Sequence, residues 1–149
     1  MLNEVKSRLT GRTTRYLTVV LLAAVLMGNG FAQKNSIKDV TDSKYALENL
    51  VVGIQSDNTG LKRSSIYFAG KYRIAETEDA LIAQLKAEKN PSTRILIALV
   101  LYEMGSEKGL LEVKNQSLTD EDAKVRRMCL QIYNEYLVND SPSTAFVGE

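Results

Sequence analysis

The chain of 149 residues contains no histidine. That removes the usual general base near neutral pH and the commonest metal ligand. It contains one cysteine, Cys129, so an internal disulfide is excluded, and no Cys/His cluster exists for zinc. The fold must be held by packing alone. There is also no useful surplus of charge. The formal net charge is +1, but residues 1–32 hold Lys6, Arg8, Arg12 and Arg15 against Glu4 alone. Residues 33–149 then carry 15 bases and 17 acids, a net of −2. That stretch lacks the positive field on which non-specific nucleic-acid binding relies, so no nucleic-acid partner is expected. The apolar run Tyr16–Met27 covers about 12 residues, short of the ~20 that cross a bilayer.

What is present suits one ordinary domain: 44% apolar and 25% charged residues, close to globular averages. The N-terminal segment has a distinct layout. A basic stretch leads into the apolar run, and Gly28-Asn29-Gly30-Phe31-Ala32-Gln33 follows. This is the plan of a secretory signal, with Gly30 and Ala32 at the −3 and −1 places for cleavage before Gln33. Export to a periplasmic or extracellular compartment is the expectation, with membrane contact only through the signal segment. An uncleaved anchor is the alternative. A lone thiol suits an oxidising compartment because it has no partner to mispair with. Asn115-Gln116-Ser117 and Asn139-Asp140-Ser141 match the glycosylation pattern, where chance is the better reading.

One segment recurs in the remainder. Asn58, Asn90 and Asp122 lie 32 residues apart; so do Lys62, Arg94 and Arg126, and Ile66, Ala98 and Leu130. A short Asn or Asp side chain suits a helix N-cap, and Pro91 suits the first helical position, where its missing N–H costs nothing. A helix is expected after each cap. Val125, Met128, Cys129, Ile132, Tyr133 and Tyr136 form one apolar stripe. Ile95 to Leu101 is apolar all round, whereas Leu61, Ser65, Phe68, Ala69 and Tyr72 again make a stripe. A middle helix needing cover on several sides, between end helices needing one, fits a short stack. A partner helix precedes each cap: Leu47, Leu50, Val51 and Ile54; then Ala80, Leu81, Ile82 and Leu85, capped by Thr77; then Leu110, Leu111, Val113 and Leu118, opened by Ser106. Gly105 and Gly109 allow a tight reversal between units.

The expected fold is all-α: a short α-solenoid of about three antiparallel helix pairs, six helices, plus a signal-peptide helix. The expected boundaries are a signal at 1–32, a flexible lead at 33–43, a repeat domain at 44–138 and a disordered tail at 139–149. Units span about 44–74, 75–105 and 106–138.

Asp122-Ala123-Lys124-Val125-Arg126, Asn90-Pro91-Ser92-Thr93-Arg94 and Leu61-Lys62 with Ala69-Gly70 resemble the Asp-Pro-x-Val-Arg turn of short HEAT repeats, seen also in the phycobilisome-lyase-like group. The resemblance covers about residues 44–138. It implies a helical stack with a binding surface, and a structural ladder of Asp122 and Arg126, joined by Asn58, Lys62, Asn90 and Arg94. It implies no reaction.

The candidate sites follow. The Lys62/Arg94/Arg126 column could hold an anion, but a structural ladder is the better reading. Lys124 with Arg126-Arg127 makes a small basic spot at a helix start. The acids Glu76-Thr77-Glu78-Asp79 and Asp120-Glu121-Asp122 sit at expected helix starts, where negative charge is favoured by ~0.3–1 kcal/mol each. Capping is preferred there to a metal or hydrolytic site. Cys129 lies on an apolar stripe with no base to activate it, and reads as core. Tyr67, Tyr72, Tyr102 and Tyr136, with Arg127, are candidates for a partner surface. The functional expectation is a non-catalytic interaction module with no cofactor, binding an unidentified protein and pairing with itself or with a larger complex. An accessory or lyase-like small-ligand binder is the alternative.

Overall fold

The computed structural model describes residues 34–140. The signal segment, its helix and the Ala32/Gln33 junction lie outside the described residues, as do residues 141–149 of the expected tail.

Among the described residues six α-helices follow one another: α1 (Ala46–Ile54), α2 (Thr59–Lys71), α3 (Glu78–Ala87), α4 (Pro91–Glu103), α5 (Glu107–Thr119) and α6 (Ala123–Asp140). The protein is all-α. The helices start where capping residues stand. Asn58 Oδ1 accepts from the Leu61 N–H, Asn90 Oδ1 from those of Ser92 and Thr93, and Asp122 Oδ1 from those of Lys124 and Val125. Ser106 opens α5 by accepting from the Gly109 N–H. Thr77 departs from the expected role: its hydroxyl donates to the Ile74 carbonyl and caps nothing.

Two helices end alike. After α4, Gly105 takes φ 60° and the Ser106 N–H reaches back to the Leu101 carbonyl. After α2, Arg73 takes φ 48° and the Ile74 N–H reaches the Ala69 carbonyl. Both are left-handed C-caps, the first on glycine and the second on a residue that pays a steric cost there.

The helices pack as pairs and as alternate neighbours. α1 lies on α2, α3 on α4 and α5 on α6; α1 also meets α3 and α3 meets α5, while α2 meets α4 and α4 meets α6. Their buried faces make one core, with Ile54, Ile66, Leu81, Leu85, Ile97, Leu101, Leu110, Val113, Val125 and Cys129 inaccessible or nearly so. α4 occupies the centre: Ile97, Ala98, Val100 and Leu101 are buried, Ile95 and Leu96 half-buried, and Leu99 exposed. Its all-round apolar sequence is thus explained by four neighbouring helices, with one flank left open.

Residues 34–43, expected as a flexible lead, are tied to the domain. The Asn35 N–H donates to the Arg73 carbonyl and the Asn35 carbonyl accepts from Ala75. A 3-10 turn at Ile37–Asp39 follows, closed by a capping box between Ser36 and Asp39, and Ile37 is buried. Polar composition alone did not point to these contacts, which rest on one buried apolar residue and the backbone pairing of Asn35. α6 likewise continues through residues 139 and 140, two places into the expected tail.

Candidate functional site

Two features of this helix array could carry function: a column of polar contacts joining successive pairs, and a groove on the α2–α4 side.

The column starts from the basic residues. The Lys62 ammonium lies 2.8 Å from Glu88, at the turn of the second pair. Arg94 repeats this one pair later. Its NH2 donates to Asp120 Oδ1 at 2.8 Å, and its Nε lies 2.7 Å from Asp120 Oδ2, off the line of a hydrogen bond. Arg94 NH1 also donates to the Glu88 and Lys89 carbonyls, each at 3.0 Å. Arg126 makes the same backbone contacts, from NH1 to the Asp120 and Glu121 carbonyls.

The acids that meet these bases are therefore Glu88 and Asp120. Asn58, Asn90 and Asp122, which the resemblance implied as ladder members, spend their side chains on their own helix starts. The acid column stands two residues earlier. Its members each accept from the N–H of the cap that follows: Ser56 from Asn58, Glu88 from Asn90, Asp120 from Asp122. Ser56, Glu88 and Asp120 are themselves 32 residues apart. That spacing was present in the sequence, hidden by the change from hydroxyl to carboxylate.

Electrostatics follow from these contacts. Burial pushes the Glu88 carboxyl up, but the Lys62 ammonium, the Asn90 N–H and the Gln84 amide outweigh it and hold Glu88 below its ordinary value. The Val125 and Lys124 N–H groups hold Asp122 below its own. Burial, with the nearby Asp120 charge, pushes the Cys129 thiol up to about 11. A thiol in that state is neutral at physiological pH and is not a nucleophile.

The acidic clusters are dispersed among separate partners. Glu76 accepts from the Ser36 hydroxyl, Glu78 from the Ser106 hydroxyl, and Asp79 pairs with Lys108 at 2.6 Å. Asp120 is buried against Arg94 and Asp122 caps α6. Among the described residues no group of three His, Cys, Asp or Glu could hold a metal ion.

The groove lies between α2 and α4, with a volume of about 440 Å³. Gly70 sets its depth: a Cβ there would stand 2.7 Å from Val100 Cγ2, so only glycine lets the two helices approach this closely. Leu96, Leu99 and Tyr67 supply apolar wall, and Lys71, Arg73 and Glu103 charged rim. Arg73 Nε donates to the Glu103 carbonyl at 2.9 Å, joining the two helix ends.

Of the residues expected on a partner surface, Tyr67 lies in this groove. Tyr72 is half-buried and tilted against Phe68, ring centroids 4.6 Å apart. The Tyr102 hydroxyl accepts from Asn139 at 2.9 Å, and Tyr136 packs half-buried against the core. Arg127 is exposed on α6. The five do not converge. Leu96 and Leu99 were missed as surface because their helix reads as wholly interior. No protein-family description, curated protein or solved structure matches the chain.

Proposed function

We propose that the chain is an exported, non-catalytic protein–protein interaction module, a short HEAT-like stack of three helix pairs whose α2–α4 groove takes an apolar side of a partner protein. The observation that carries the reading is the register. Caps, bases and acids recur at one spacing, and each helix packs on its pair partner and on the equivalent helix of an adjacent pair. In a solenoid each unit contacts only adjacent units, and such stacks use their surfaces for recognition. The missing histidine and the neutral, buried Cys129 support a role without covalent chemistry.

The groove favours an apolar partner segment with charged flanks. Its floor is Gly70 and Val100, its wall is apolar, and its rim carries two bases and one acid. The accessory small-ligand reading draws on the same groove, whose volume falls within the ~300–1,000 Å³ that such ligands use. Photo-crosslinking from position 99 in the native host tests the proposal. One dominant protein adduct is expected, lost on Tyr67→Glu. A groove that crosslinks to nothing, while small ligands raise the melting temperature, would favour the alternative. The export half is tested by mass spectrometry: a mature N-terminus at Gln33 is expected, and an intact N-terminus supports a membrane-tethered form.

A further inference from the structure

The two ends of the helix array are unfinished in complementary ways. On α2, Gly70 and Arg73 face α4 through Val100 and Glu103, Lys62 meets Glu88 at the turn before α4, and helical spacing puts Ile66 on the same side. Leu61 and Phe68 stand on the opposite side of that helix. One repeat length on, the places of Leu61 and Phe68 are taken by Thr93 and Val100; two on, by Val125 and Ile132. All four are buried, Thr93 beside Arg63 and Val100 against Gly70 of the preceding pair. Among the described residues no pair precedes the first, and Leu61 is 52% exposed and Phe68 37%.

The other end mirrors this. Ile66 and Ala98 are fully buried, and helical spacing places each on the side away from Phe68 and Val100, toward the following pair. Leu130 holds the same place in the last pair, and it is 48% exposed. Of the large exposed apolar residues among those described, Leu99 alone belongs to the middle pair. The rest lie on the first and last pairs, as expected if exposure reflects missing neighbours rather than a solvated design.

Charge follows the same register. Arg94 uses NH1 on the carbonyls of its own turn, and meets Asp120 and, at 3.7 Å, Glu121 of the next pair. Arg126 makes the first half of this pattern. The residue two repeat lengths before Glu121 is Asp57, exposed at the α1–α2 turn.

We propose that the chain binds a second copy of itself head to tail, the α5–α6 end of one copy seating on the α1–α2 end of the next. Leu130 packs against Leu61 and Phe68 of that copy, and Arg126 meets its Asp57. The contact repeats the junctions already made twice within each chain. It builds on the stacked-pair reading and leaves the α2–α4 groove open. Because the two faces differ, the contact is head to tail rather than a symmetric pair, and successive copies add in one direction, as the units of a solenoid do.

The test is sedimentation of protein isolated from cells expressing the full chain, from micromolar to near-millimolar concentration. Wild type is expected to gain mass continuously. Leu130→Glu and Leu61→Glu each block one face, at positions exposed enough to keep the fold, which circular dichroism checks. Each alone is expected to stay monomeric. Their equimolar mixture is expected to double in mass and stop, since one intact junction remains. A monomeric wild type throughout overturns the proposal, as does a mixture that stays monomeric. Leu61→Glu retaining a finite dimer would show symmetric pairing of the α5–α6 ends instead. Loss of assembly with groove crosslinking intact leaves the proposed function untouched, and crosslinking failure with assembly intact does the reverse.

Discussion

Arg94 and Asp120 face each other inside the helical core, 26 residues apart in the chain, with 5% and 7% of their surfaces exposed. The pair joins the central helix α4 to the turn before α6. Each partner is also bonded to backbone: Arg94 to two carbonyls, Asp120 to the Asp122 N–H. Breaking such a pair leaves a buried charge without its counter-ion, at a cost of ~3–5 kcal/mol. Arg94→Met and Asp120→Ala are each expected to lower unfolding free energy by about that much in urea titrations. The double variant should cost clearly less than their sum, which a double-mutant cycle reads directly.

The left-handed C-caps at Arg73 and Gly105 make opposite predictions from one conformation. Gly105→Ala meets no atom within 4 Å, so its whole cost is backbone strain, expected at ~1–2 kcal/mol. Arg73→Gly removes that strain but also the bond to Glu103. The exposed ion pair of Arg73 with Glu103, at 3.7 Å, is worth little. A small net gain is expected. Thermal unfolding of both variants checks the pair of signs.

Acid should weaken the column through Glu88. Its folded carboxyl titrates below the ordinary 4.5. A depressed carboxylate contributes stability that is fully present above the unfolded value and lost as pH falls through the folded one. Stability is therefore expected to decline below pH 4.5, and Glu88→Gln to flatten that part of the profile. Lys62→Met should flatten it too, since the ammonium is the main opposing partner. Urea midpoints taken from neutral pH downward provide the measurement.

Cys129 predicts the alkaline limb. Its thiol rises from 9.0 to about 11 on folding, so the folded state favours the protonated form. The contribution is present below the unfolded value and lost as pH climbs through the folded one, by about 2–3 kcal/mol across that window. Cys129→Ala should remove this slope. In the native state the inaccessible thiol should react with alkylating reagents only as fast as the protein opens; labelling at the rate of a free thiol would contradict its burial.

Much of the architecture was legible in the residues. Asn58, Asn90, Asp122 and Ser106 marked helix starts correctly because capping is local: a side chain meets N–H groups two or three places away. The apolar stripe of α6 and the all-round apolar α4 forecast their burial, since periodicity reports how many sides a helix must cover. What escaped the sequence was non-local. Glu88 and Asp120 stand out only once Lys62 and Arg94 are seen to reach them across a helix junction. Leu99 surfaced from an interior-looking helix because its neighbours leave one flank open, and Leu61 and Leu130 because no further helix pair among the described residues covers the ends. Local hydrogen bonding and hydrophobic period were determined by the chain alone; which apolar and charged groups stayed uncovered was decided by packing, because exposure depends on neighbours distant in sequence.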